Sequence, residues 1–359
     1  MTSIYTTKDI LEAICLEEQK KAWLDIIIKL KEVYVNETDI FKEDVDPGDD
    51  PFYILDQMEV DIRSDEKDFI NSINTNPISV LQHPNGIYLL DIPINKADAI
   101  QKDYGVICQS SSKMDCSILI QPHLPSELDE GDTHYSWNKF VGRYVAIPSN
   151  SILVIDAHLF DNDRFDERLG CYDNKHRDGI NNLFELLDSI LPKHFDETYH
   201  IGVLITDIDI AKANRKSRSN LTNNRIASAI NKLKKSLNRN YNINTEVVFF
   251  DSRDIDGHKL IHNRRVISNY FIITADYKLA TLRDGRCLCS QTVAAFPLFE
   301  NIVNDPDSDK KEKKIRNELR KFQYYLRRQA DAIEPTATLY QNGKAEVDLS
   351  TMLHRLLKN

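Results

Sequence analysis

Three side chains between two apolar runs carry the most chemically suggestive spacing in the sequence. His262, Arg264 and Asn269 form the pattern H-x-R-x-x-x-x-N within residues 259–275. Around them, 266–267 and 270–273 are β-branched and aromatic enough to predict strand. On an extended chain, side chains two apart share a face, so His262 and Arg264 are expected to point the same way. The pair suits phosphate chemistry. An imidazole can attack phosphorus or move a proton, while a guanidinium clamps two oxygens at once. Asn269 would add hydrogen bonding without charge.

A second feature is a basic run. Residues 212–239 hold nine basic side chains and no acidic one. Arg215, Lys216, Arg218, Arg225, Lys234 and Lys235 are its candidate phosphate- or nucleic-acid-binding groups, a local basic face on an acidic chain. Other clusters read as structure. Asp91 at a strand end suits a cap better than a metal ligand. Asp251, Asp254 and Asp256 suit a solvated turn better than a calcium loop, which needs more ligands in fixed order. Cys287 and Cys289 form a C-x-C with no second close pair, so no zinc site and no cofactor are expected.

The elements that must position these groups alternate. Residues 151–156, 200–206 and 245–250 are apolar strand-like runs, separated by amphipathic helical patterns over 181–190 and 224–237. Alternation of this kind predicts crossover connections and a largely parallel sheet core, finished by a strand, turn and strand over 261–279. Before it, 7–34 is expected as helix, 77–94 as a hairpin turning at Asn85-Gly86, and 117–121 as a strand. The acidic stretch 123–136 separates the halves. The expected division is an N-terminal α/β unit, 1–140, of unread role, and an α/β domain, 148–359, ending in a long charged helix and tail.

The motif and its place after the third strand resemble the H-x-K-x-x-x-x-D signature of the phospholipase D superfamily. The likeness covers roughly residues 150–285, with Arg264 in the Lys position and Asn269 in the Asp position. Asp276-Tyr277 stands where the family pattern has a Gly-Ser/Thr step. The resemblance implies a phospholipase D-like mixed sheet flanked by helices, with a smaller N-terminal α/β unit beside it. It also implies metal-independent phosphodiester displacement through a phosphohistidine, with His262 as nucleophile or acid and Arg264 as phosphate clamp. Two such motifs face each other across a family site. In this chain His158 lacks a basic residue two positions on, His176 lacks the spacing, and His258 lies close before the motif. A homodimer with one His262 from each chain is therefore expected.

Composition bounds the alternatives. A net charge of −10 disfavours indiscriminate nucleic-acid binding. No apolar run is long enough to span a bilayer, and the N-terminus lacks a signal-peptide layout, so a cytosolic protein without membrane contact is expected. Two functions follow: a phosphodiesterase or nuclease, or a catalytically degenerate module binding nucleic acid or an operon-encoded protein partner. The second fits components of bacterial defence systems, by fold-level analogy alone.

Overall fold

The computed structural model describes residues 2–36, 50–65, 68–120, 124–166, 168–173, 175, 177–207, 223–297, 308–344 and 346–358. It is a mixed α/β structure built on a parallel sheet and a larger mixed sheet, each flanked by helices.

The first sheet is made from β1 (Ile4–Thr6), β2 (Glu32–Val35), β3 (Asp61–Ser64), β4 (Ile87–Leu90) and β5 (Ile107–Ser110). All its pairings are parallel, in the order β3-β2-β1-β4-β5. Helices α1 (Lys8–Leu16), α2 (Lys21–Leu30), α3 (Pro51–Gln57), α4 (Phe69–Ser72) and α5 (Ile94–Tyr104) fill its connections. The single helix expected over 7–34 is thus two helices and a strand. The backbone is extended at Glu17, ending α1, and Lys31 turns left-handed at φ 62°, releasing the chain into β2. The expected hairpin is also absent. Pro77–Gln82 is a 3₁₀ turn, tied down where the Tyr88 hydroxyl meets the carbonyls of Val80 and His83. The strand that follows pairs parallel with β1 instead. Ser117–Leu119 is likewise a 3₁₀ turn rather than a strand.

The second sheet has nine strands in the order β18-β17-β11-β10-β7-β12-β13-β16-β6. In chain order the elements are β6 (Leu124–Leu128), α6 (Trp137–Val141), β7 (Ser151–Ile155), the ribbon β8 (Phe165–Asp166) and β9 (Cys171–Tyr172), then α7 (Asp178–Ile190) and β10 (Tyr199–Thr206). Next come α8 (Asn223–Ser236), β11 (Ile243–Phe250), α9 (Ile255–Ile261), β12 (Arg264–Ser268) and β13 (Phe271–Ala275). The ribbon β14 (Leu282–Arg283) and β15 (Arg286–Cys287), β16 (Gln291–Pro297), α10 (Ser308–Ala330), β17 (Ala337–Gln341) and β18 (Glu346–Val347) complete it. At its centre β7, β10 and β11 run parallel. Every residue of β7 and β11 is buried. Burial on both faces is why these strands read as continuous apolar runs. β12 then adds antiparallel to β7, and β13 antiparallel to β12.

β6 lies inside the segment expected to belong with the N-terminal unit, yet it pairs with β16 at the edge of the second sheet. The boundary between sheets therefore falls before 124. The two units share one apolar core that runs from Ile4 and Trp23 through Trp137 and Phe249 to Leu357. Each fully buried large apolar side chain there contributes roughly 1.5–3 kcal/mol. Among the described residues no helix is long and apolar enough to cross a membrane.

Candidate functional site

Strand order decides what meets what. β7 and β12 are antiparallel neighbours, with Ile155 opposite Arg265. The residues just after β7 and just before β12 consequently share one edge of the sheet. Ala157 N–H donates to Ile261 O at 3.2 Å, closing the turn after β7 onto the end of α9. Asp254 starts α9 by accepting from the backbone N–H groups of Asp256 and Gly257. It also meets the Tyr325 and Thr336 hydroxyls, so the aspartate-rich loop is a helix cap, as a turn reading expects. Asp91 likewise accepts from the Ser111 hydroxyl at 2.7 Å.

His262 is at the C-terminal end of α9, in helical conformation, rather than on the predicted strand. His258 lies one turn earlier, on the same helical face. Its ring centroid is 5.7 Å from that of His262. His158, in the turn after β7, completes a triangle, 5.9 Å from His258 and 6.2 Å from His262. Arg264 opens β12 and directs Nη1 to within 3.4 Å of His262 Nδ1. Its Nε is buried with no hydrogen-bond partner among the described residues. The sequence reading thus missed two imidazoles. Closeness in sequence had excluded His258, but a helical turn brings it beside His262. Two further imidazoles therefore stand beside His262 within one chain.

Asp156 holds this geometry. It is fully buried, and its Oδ1 accepts from His158 N–H and its Oδ2 from Leu279 N–H, both at 2.9 Å. Burial pushes its carboxyl up, against the pull of those two N–H groups. Both oxygens are thereby engaged with backbone.

The three imidazoles differ electrostatically. His158 Nδ1 lies 2.9 Å from Asp161 Oδ2, and that hydrogen bond raises its pKa above the ordinary histidine value despite partial burial. His258 is shifted down, first by burial and then by the neighbouring His158 and His262. At His262, the guanidinium of Arg264, which can only donate, stands 3.4 Å from Nδ1, so Nδ1 is the accepting side of that contact and Nε2 is left unengaged by it. The site therefore holds one imidazole inclined to keep its extra proton and one inclined to lose it, beside a third in contact with a guanidinium.

The other predicted site residues disperse. Asn269 lies at the far end of β12 from Arg264 and is 4% exposed. Its Oδ1 accepts from the N–H groups of Asn150 at 2.9 Å and Ser151 at 3.2 Å. Its Nδ2 meets Pro84 O, Asn85 Oδ1 and Asn150 Oδ1 at 3.0, 2.7 and 3.1 Å. Asn269 thus joins the second sheet to the first unit and stands outside the histidine cluster. Next to it, the Tyr270 hydroxyl donates to Gly86 O at 2.6 Å and accepts from Ile107 N–H at 3.2 Å.

Lys234 is engaged in the fold: its Nζ donates to Ile243 O at 3.1 Å and Asn342 Oδ1 at 2.9 Å, and burial lowers its pKa. Arg225 stacks over the Phe165 ring at 4.3 Å. Lys235 is exposed. Arg215, Lys216, Arg218 and His176 lie outside the described residues.

Elsewhere, Asp103, His194 and Asp196 bring one potential ligand atom each within 4.8 Å of the others. Here one nitrogen, His194 Nε2, lies 3.1 Å from Asp103 Oδ1 and 3.0 Å from Asp196 Oδ1. No protein-family model matches the chain, and comparison with curated proteins finds no match either.

Proposed function

We propose that the chain is a phospholipase D-like phosphodiesterase whose working groups are His158, His258, His262 and Arg264. The observation that carries the reading is the gathering of three imidazoles, ring centroids 5.7, 5.9 and 6.2 Å apart, beside one guanidinium, with His158 pushed up by Asp161 and His258 pushed down by burial. Groups whose environments drive their protonation apart are the ones suited to acid and base roles.

A phosphodiester would lie with a non-bridging oxygen on the Arg264 guanidinium and the His262 Nε2–H, both donors to anionic oxygen. Neutral His258 would attack phosphorus. As the new N–P bond forms, the P–O bond to the leaving group breaks, and the imidazolium of His158 gives its proton to the departing oxygen. Asp161 holds His158 Nδ1, so Nε2 is the nitrogen that delivers the proton. Water then attacks the phosphohistidine, neutral His158 takes the water proton, and His258 is released. His262, expected from sequence as nucleophile or acid, becomes an oxyanion holder because Arg264 occupies its Nδ1.

The test is hydrolysis of bis(p-nitrophenyl) phosphate in EDTA, with imidazole NMR signals followed on adding inorganic phosphate. Turnover surviving the chelator and falling at least ~100-fold in both His158→Ala and His258→Ala supports the reading. Turnover that requires Mg²⁺ overturns it. Phosphate-dependent histidine shifts without turnover overturn the enzyme and leave the binding module. No shift overturns the site altogether.

A further inference from the structure

The rim of the histidine cluster carries two of the most exposed large apolar side chains among the described residues, Tyr277 at 59% and Ile255 at 69%. Single exposed apolar groups are ordinary on a protein surface. These two differ in where they stand. Ile255 begins α9, three residues before His258 and so on the same helical face. Tyr277 leaves β13 two residues after Ala275, which pairs with Arg264. The ladder ends there, and the segment carrying Tyr277 runs on to Leu279, whose N–H reaches Asp156 beside the cluster.

The Tyr277 backbone is held rather than loose. The N–H groups of Tyr277 and Lys278 both donate to Gln291 Oε1 at 3.0 Å, and Gln291 Nε2 donates back to Lys278 O at 3.0 Å. One residue further on, Leu279 N–H is bound by the same Asp156 carboxylate that fixes the His158 backbone. The segment carrying Tyr277 and the turn carrying His158 are thus braced against one buried side chain. Lys278 Nζ stands 5.8 Å from the Tyr277 ring centroid. Burying this ring against protein would be the ordinary use of a tyrosine after a core strand, yet it faces solvent beside a cation.

We infer that the phosphodiester taken by this site belongs to a single-stranded nucleic acid, with one base stacked on Tyr277 and a neighbouring nucleotide packed against Ile255. This rests on the phosphodiester reading above and names its substrate class. Flat exposed rings beside cations are how sequence-tolerant single-strand binders hold bases, since every base offers a π-face. Bases in a duplex are already stacked and closed to such a ring. A lipid surface would call for a contiguous apolar patch, whereas exposed Lys259, Asn263 and Asp276 intervene between Ile255 and Tyr277 along the chain. The Tyr277 position also gives a use to Asp276-Tyr277, where the related pattern has small residues.

The experiment is fluorescence anisotropy of the full chain with three labelled probes: a 12-mer of deoxythymidine, the same length of abasic backbone, and a 12-base-pair duplex. The thymidine strand is expected to bind tighter than the other two. Tyr277→Ala is expected to weaken it about 5- to 150-fold while leaving the abasic strand unchanged, and Tyr277→Phe to restore it. Equal affinity for thymidine and abasic strands overturns the inference. So does a Tyr277→Ala loss shared by both strands, or Tyr277-dependent binding to phosphatidylserine vesicles in place of the oligonucleotide. The phosphodiester reading is scored separately, by inorganic phosphate shifting the histidine NMR signals in the Tyr277→Ala variant. Absence of that shift refutes the phosphate site whatever the oligonucleotides do.

Discussion

Replacing Asn269 by Asp tests whether this residue belongs to the site or to the joint between the units. Read from the motif, the change restores a carboxylate that should alter phosphate handling. Read from the structure, it damages a joint. The amide nitrogen of Asn269 faces three acceptors, Pro84 O, Asn85 Oδ1 and Asn150 Oδ1. One oxygen of the introduced carboxylate could still accept from Asn150 and Ser151 N–H, but the other would meet only those three oxygens. Losing these hydrogen bonds at a position 4% exposed, and burying charge among acceptors, should cost about 2–5 kcal/mol at neutral pH. The sign with pH follows. The variant carboxyl is disfavoured as an anion, so its folded pKa lies above the unfolded value of about 3.9. Below that value the proton is present and its O–H can donate to one of the acceptors. The deficit should therefore shrink near pH 4 and grow as pH rises. Urea unfolding of both proteins at pH 4 and pH 7.5 measures this directly. Histidine-cluster chemistry should be unchanged in folded protein, because the site lies five residues away along β12, roughly 16 Å of strand. A variant as stable as the parent at pH 7.5, or a deficit larger at pH 4, would refute the joint.

Three further outcomes are expected. Cleavage should follow a bell in pH, rising as His258 deprotonates below the ordinary histidine value and falling as His158 deprotonates above it. Asp161→Asn, which removes the bond raising His158, should move only the alkaline limb to lower pH, as a pH–rate profile would record. Glu318→Ala should destabilise by about 3–5 kcal/mol, since it strands Arg265, which is paired to Glu318 at 3.2 Å and nearly buried. The double change Arg265→Met with Glu318→Leu should recover most of that loss, a comparison read by urea midpoints. Lys234→Met should lose about 1–2 kcal/mol through its two hydrogen bonds without affecting phosphate binding. Thermal unfolding together with phosphate titration checks both halves of that expectation.

What the sequence made legible was local. The alternation of apolar strands and amphipathic helices from β7 to β13 follows from periodicities of two and 3.6, and apart from α9 and the β8–β9 ribbon those elements stand where the pattern expects them. The apolar run at Ile87 was also legible as a strand, but its partner was not. Asn85-Gly86 suggests a hairpin, yet the preceding segment is a 3₁₀ turn and β4 pairs with β1 from the far N-terminus. The site failed in the same way. His158 and His262 meet only because β12 inserts beside β7, a neighbour relation that no local pattern contains. His258 was within reach: an Asp254 cap followed by Ile255, Leu260 and Ile261 predicts a helix, and four-residue spacing then aligns it with His262. Asn269 was out of reach, because its acceptors on the first unit come from residues 84 and 85.

The pairing of β6 with β16 has a consequence for how the chain leaves the ribosome. Residues Leu124–Leu128 emerge long before Gln291–Pro297, the only strand they pair with among the described residues. At ordinary elongation rates the wait is about 10–30 s. Over that interval the first sheet can close, since its five strands are complete by Ser110, while β6 trails it without a partner. An unpaired strand offers its backbone to any other chain nearby. Pro125 and Glu127 within β6 work against such pairing, one by lacking an N–H and the other by charge. The first strand of the larger sheet to be made is thus paired only after most of that sheet has emerged, and it carries its own protection while it waits.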